Sequence, residues 1–208
     1  MTIYLVRHGQ TNGNVNHLHQ TLETPLNEIG LDQAEKVSKR FAHTSIDVIL
    51  ASPATRAQQT AKEVQTVTRA NLETLELLAE QRHPSEIDNL SWEHESTSNV
   101  WKAIDENLHD KSYHYSDEEN NSDFIERISH IFPLLEKRKE ENIVLVSHGF
   151  VIRCLVGLLM FEDDFSSKEY ERAKQKLWTV NTGITVFKYT TENGWGLLTY
   201  NDHAHLLE

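Results

Sequence analysis

The chain has 208 residues, 38% of them hydrophobic and 25% charged, and a formal net charge of −12 at pH 7. These values exclude a disordered chain, and the excess of acid repels polyanions, so neither nucleic acid nor an anionic membrane surface is an expected partner. Any anion the protein binds must be held by a local cluster of positive groups.

The length suits one α/β domain, residues 1–208, carrying an insertion. The single cysteine, Cys154, leaves no intrachain disulfide and suits a reducing compartment. With no apolar run of ~18 residues and a strand-like start at Met1-Thr2-Ile3 in place of a signal peptide, a cytoplasmic location is expected. In chain order, Ile3–Val6, Ile46–Leu50 and Ile143–Val146 are short, nearly all-apolar β-rich runs, the pattern of strands buried on both faces. Leu31, Ala34, Val37 and Phe41 mark one face of a helix after the first strand, and Ala54, Ala57, Ala61 and Val64 do so after the second. Strand, helix, strand, helix predicts right-handed parallel crossovers. From about 84 to 121 the periodicity weakens and polar residues surround Trp92, Trp101, Tyr113 and Tyr115, which predicts an inserted cap. Phe124, Ile128, Ile131 and Leu135 predict a third helix, kinked at Pro133, and Gly149 to Phe161 a buried apolar one. Gly183 to Tyr189 and Trp195 to Tyr200, separated by Glu192-Asn193-Gly194, predict a hairpin that finishes the sheet with antiparallel pairing.

Ligands of open parallel sheets sit at the carboxyl ends of the strands, so the residues after each central strand share a crevice. Arg7, His8 and Gly9 follow the first, Ser52-Pro53-Ala54-Thr55-Arg56 the second, and Ser147, His148 and Gly149 the third. Two histidines and two arginines therefore converge. Ser52-Pro53 predicts a helix start with Ser52 as N-cap and Pro53 at the first helical position, aiming free N–H groups at the crevice. The result is an anion pocket of fixed donors. A histidine there binds phosphate or attacks it, and attack requires a neutral imidazole. Arg7 and Arg56 are expected to supply that by like-charge repulsion on His8. Gly9 and Gly149 are expected to leave room for a phosphoryl group. A leaving alkoxide needs a proton, for which Glu80, at the end of the run Leu75–Ala79, is the leading candidate ahead of Glu86, Asp88 and Glu93.

Taken singly, a His or Arg after a strand is most often an ordinary surface or hydrogen-bonding residue; four after three separate strands are a constellation. Glu80 alone reads equally well as a solvated carboxylate. Cys154 reads as a buried core thiol. The pairs His17 with His19 and His203 with His205 lack a thiolate or carboxylate set at zinc spacing, so they read as solvated loop histidines and no metal site is assigned. For the four aromatics of the cap, lining the substrate entrance and packing the cap are readings of about equal weight.

Several ordered motifs resemble the histidine phosphatase superfamily, the group containing cofactor-dependent phosphoglycerate mutases and many broad phosphatases. Leu5-Val6-Arg7-His8-Gly9-Gln10-Thr11, with Asn14, is similar to its signature. Thr24-Pro25-Leu26-Asn27-Glu28-Ile29-Gly30 with Gln33-Ala34, Ala51–Ala61, and Val144-Leu145-Val146-Ser147-His148-Gly149 resemble its later segments. Together they span most of the chain and are highly specific. The resemblance implies a phosphoglycerate mutase-like three-layer α/β/α sandwich with a mainly parallel sheet and an antiparallel edge strand. It implies that His8 becomes phosphohistidine, that Arg7, Arg56 and His148 clamp the phosphoryl oxygens, and that Glu80 donates the proton. Asn14 is implied as a ligand contact, and Gln10, Thr11 and Gly149 as further substrate-binding residues. Residues 81–86 differ from the mutase pattern, and no substrate contact is carried onto them.

The expected activity is a metal-independent phosphomonoesterase that needs no cofactor and acts on a small phosphorylated metabolite. One alternative is a mutase, which returns the phosphoryl group to a bound phosphoacid; another is a non-catalytic phospholigand-binding module. From 84 to 121 the basic residues other than histidine are Lys102 and Lys111, against ten carboxylates, which disfavours a multiply anionic substrate. The sequence leaves the oligomeric state open.

Overall fold

In a computed structural model describing residues 1–207, Glu208 lying outside them, the three apolar runs form adjacent strands at the centre of a six-stranded sheet. The elements are β1 (Thr2–Arg7), α1 (Asn12–Val15), α2 (Glu28–Lys39), β2 (Val48–Ala51), α3 (Thr55–Thr68), β3 (Asn71–Thr74), α4 (Glu95–Glu106), α5 (Asn121–Ser129), α6 (Ile131–Glu136), β4 (Asn142–Ser147), α7 (Gly149–Phe161), α8 (Ser167–Lys176), β5 (Ile184–Thr190) and β6 (Gly194–Asp202). The sheet order is β3-β2-β4-β1-β5-β6. The first four strands are parallel, β5 pairs antiparallel with β1, and β6 antiparallel with β5. The hairpin thus closes the sheet as its turn signal predicts.

Successive side chains of a strand point to opposite faces, and here both faces are covered. Ile143 and Leu145 of β4 join one core with α5 to α8, whereas Val144 and Val146 join a second with α2 and α3. Because β1 leads to α2 on one face and its neighbour β4 leads to α7 on the other, the chain parts at their carboxyl ends. A crevice opens at such a switch point.

Several expectations shift. Leu31 is 46% exposed, and α2 instead packs through Gly30, Ala34 and Val37. Strand β2 begins two residues later than Ile46, which still enters the core. The single kinked helix is two, broken at His130, because Pro133 has no N–H for the Ser129 carbonyl and its ring crowds it. Helix α3 starts at Thr55 with Ala54 as N-cap and no side-chain cap bond, so Ser52 and Pro53 precede the helix rather than start it. Residues 84–121, expected as a cap, contain α4, whose buried positions are Thr97 and Val100, and Ser91 bridges to Leu18.

Candidate active site

Strands β1 and β4 are in register at Arg7 and Ser147, so the next residues, His8 and His148, leave the sheet abreast with ring centroids 5.1 Å apart. Arg56, in the first turn of α3, reaches the same place: its Nε donates to His8 Nε2 at 3.3 Å and its Nη1 to the Thr21 carbonyl at 2.8 Å. His8 Nδ1 lies 2.7 Å from the Gly9 carbonyl, which can only accept, so Nδ1 carries the hydrogen and Nε2 the in-plane lone pair. Burial is the main force holding the His8 pKa well below its usual 6.5, with Arg56 and then Arg7 adding repulsion. The expected direction holds, but desolvation outranks the two charges.

Arg7 donates from Nη1 to the Thr179 carbonyl at 2.5 Å. Burial lowers the pKa of both Arg7 and Arg56 to about 10, which leaves each charged at pH 7. His148 is held by Ser52 Oγ, 2.7 Å from its Nε2, and burial keeps it neutral. Arg7 Nε and His148 Nδ1 are buried without a hydrogen-bond partner among the described residues, a rare state for polar atoms in a folded protein. Both belong to the side chains expected to hold a phosphoryl group.

With this geometry, residues 3–203 match the family model described as histidine phosphatase superfamily, branch 1. The chain belongs to the histidine phosphatase superfamily. It is 28% identical over 218 residues to phosphoglycerate mutase-like protein 4 of Arabidopsis thaliana, spanning 99% of this chain and 87% of that one. It is 28% identical over 214 residues to a probable phosphatase of Schizosaccharomyces pombe, spanning 99% and 95%. Similar folds include Bacillus stearothermophilus YhfR, with a TM-score of 0.81 and 21% identity over 99% of this chain and 98% of that one. The alpha-ribazole phosphatase of Shigella flexneri has a TM-score of 0.79 and 21% identity over 97% and 96%.

In this member of the superfamily Arg7, His8, Asn14, Arg56, Glu80 and Gly149 border one cleft of about 1070 Å³. The Glu80 carboxylate accepts from the backbone N–H of Gln81 at 3.1 Å and of Phe150, in the first turn of α7, at 3.2 Å. Burial raises its pKa above the usual 4.5, against the pull of those two bonds and of Arg56 and Arg153. Of the alternatives, Asp88 reaches the cleft but is bonded to His83 Nε2 at 2.8 Å; Glu86 takes the Tyr115 hydroxyl at 3.0 Å, and Glu93 is exposed. Trp92, Trp101 and Tyr113 border the cleft.

Other expected roles change. Gln10 and Thr11 do not border the cleft. Gln10 takes the Asn27 amide at 3.0 Å, and Thr11 caps α1 while its hydroxyl donates to Gln20 at 2.8 Å. Gly9 makes room for the Gly30 carbonyl rather than for phosphate, and a Cβ on Gly149 would come 3.0 Å from Thr179 Oγ1. His19 and His205 are more than solvated loop residues: His19 is half-buried and accepts the Trp101 indole N–H at 3.3 Å, and His205 is buried, 3.0 Å from Thr182 Oγ1. Cys154 is buried, and its thiol is raised well above the ordinary range by desolvation.

Sequence reasoning missed Thr179 and Asn181. The Asn181 amide donates to the His8 carbonyl at 3.0 Å and to Asn14 Oδ1 at 3.2 Å, tying the His8 loop to the start of β5. A signal existed: an antiparallel strand beside β1 must begin where β1 ends, so residues just before Gly183 face the same crevice. Among the described residues no helix is long and apolar enough to cross a membrane.

Proposed function

We propose that the protein is a phosphomonoesterase that hydrolyses a small phosphate ester through phosphorylated His8. The observation that carries this reading is the fixed tautomer of His8: Nδ1–H is tied to the Gly9 carbonyl, and Nε2 presents its lone pair beside Arg56. In-line attack of Nε2 on phosphorus breaks the bond to the ester oxygen, and Glu80 gives that oxygen its proton. The ring then carries Nδ1–H and the N–P bond, its positive charge facing the Gly9 carbonyl. Water next attacks phosphorus, Glu80 takes the water's proton, and neutral His8 is restored with release of phosphate. Arg7, Arg56 and His148 hold the equatorial oxygens throughout.

The far wall of the cleft supports a substrate whose non-phosphate part is neutral or cationic. Asp105 and Glu171 both border it, and Asp105 is pushed above its usual pKa by burial and by the charge of Glu171. Two of the cleft's cations are paired, Arg127 with Glu119 and Lys174 with Glu171, while Arg82 and Arg153 donate to the backbone carbonyls of Asp117 and Leu177.

The test is phosphate release from a panel of monoesters in the presence of chelator, with transfer to phosphoglycerate followed in parallel. Turnover of neutral or amino-bearing esters above bisphosphates, with acid-labile label on the protein that His8→Ala abolishes, is expected. Activity that survives His8→Ala, requires metal, or transfers phosphate in preference to releasing it would refute the reading.

A further inference from the structure

The segment that delivers Glu80 is gripped by its carbonyls. Leu77 and Ala79 both accept from Arg127 Nη1, at 2.7 and 3.1 Å, and the carbonyl between them, of Leu78, accepts from Ser147 Oγ at 2.7 Å. Ser147 directly precedes His148, so one half of this grip belongs to the strand that builds the anion pocket. The other half comes from α5. Arg127 also forms a bidentate pair with Glu119, Nε to Oε1 at 2.6 Å and Nη2 to Oε2 at 2.7 Å, and its guanidinium lies 5.0 Å from the Phe124 ring centroid.

Arg127 borders the cleft, yet four of its five N–H donors are spent on protein acceptors. It is therefore a poor candidate for gripping phosphate. Residues 80–84 belong to no helix or strand, so small backbone rotations there would swing the Glu80 carboxylate. After Glu80, the Gln81 side chain extends the same scaffold: its amide donates to the Glu119 carbonyl at 3.1 Å, and its oxygen accepts the Tyr170 hydroxyl at 2.9 Å. Proton donation demands placement within a fraction of an ångström, which side chains on irregular segments obtain only from such supports.

We infer that Arg127 is a positioning residue for Glu80, fixing the acid against the phosphate pocket by bridging the 77–79 carbonyls to Glu119. The inference rests on the proposed role of Glu80 as proton donor. A misplaced acid is felt most by esters whose leaving alkoxide needs a proton and least by aryl esters whose leaving phenolate does not. A residue that merely stabilises the fold would slow both alike.

The experiment is pre-steady-state alcohol release from ethyl phosphate and from p-nitrophenyl phosphate by the wild type, Arg127→Met, Arg127→Lys and Glu80→Gln. Following the first turnover separates phosphorylation of His8 from the later hydrolysis. Affinity for inorganic phosphate, measured in parallel, reports an intact pocket and hence a folded variant. Arg127→Met is expected to lose at least about tenfold more rate on the alkyl than on the aryl ester, as Glu80→Gln does, with Arg127→Lys between it and the wild type. If Arg127→Met does not fold, the same shift in Arg127→Lys decides. An unchanged alkyl-to-aryl ratio in the folded Arg127 variants, beside a shifted one in Glu80→Gln, overturns the inference alone. An unchanged ratio in Glu80→Gln overturns the acid role of Glu80, and the positioning role with it.

Discussion

Arg56 does two things with one guanidinium. It donates to His8 Nε2, the lone pair proposed to attack phosphorus, and its charge helps keep that imidazole neutral. A ground-state hydrogen bond to the nucleophile opposes attack, so the same N–H group must turn to a phosphoryl oxygen as substrate enters. Arg56→Met therefore removes a transition-state donor and a repulsive charge together. It is expected to lower kcat by about 10² to 10³. Less repulsion also raises the His8 pKa, so the acid limb of the pH profile of kcat/KM should move to higher pH. A lower kcat with an unmoved acid limb would show that burial alone keeps His8 neutral.

At the scale of elements, the loop after β1 and the start of α2 touch backbone to backbone. A Cβ on Gly30 would collide with the Gln10 carbonyl and lie 2.8 Å from the Gln10 nitrogen. The close approach lets the Gln33 side chain accept the Gln10 N–H at 2.8 Å, and Thr60 of α3 accept the Gly9 N–H at 3.0 Å. Two helices thus brace the residues that come after His8. In an open helix Gly→Ala would stabilise by up to about 1 kcal/mol. Here the collision is with backbone, which cannot rotate away, and overpacking of this kind typically destabilises by about 1 to 3 kcal/mol. Gly30→Ala is accordingly expected to lower stability in urea unfolding and to reduce kcat by disturbing the His8 loop. A more stable variant with full activity would show that the loop yields freely.

At the scale of the molecule, the site binds few protons. His8 and His148 are both held well below their usual 6.5 by burial, so each takes up its proton chiefly on unfolding. Their stabilising contribution is whole above pH 6.5 and is lost as pH falls from there towards their folded values, at up to about 1.4 kcal/mol per pH unit for each. Glu80 has the opposite sign: its raised pKa means that stability is regained as pH falls through that value towards 4.5. Two histidines outweigh one carboxylate. The melting temperature is expected to fall between pH 7 and pH 5, and His148→Asn to flatten that slope by calorimetry. An equal slope in the variant would place the acid sensitivity elsewhere.

The central strands, the two helices flanking the His8 loop, the closing hairpin, and the meeting of His8, His148, Arg7 and Arg56 were all legible in the sequence. Each rested on local information: an apolar run marks a buried strand, and the residues just beyond a parallel strand must face the crevice. Tertiary structure alone decided the rest. Sequence periodicity could not show that Leu31 faces solvent while Gly30 packs, because the contact is between backbones. Strand order put Asn181 against the His8 loop from 173 residues away. Neither the Nδ1–H tautomer of His8 nor the grip of Arg127 on the Glu80 segment has a sequence signature. Both consist of hydrogen bonds to backbone carbonyls, which every residue carries and only the folded chain selects.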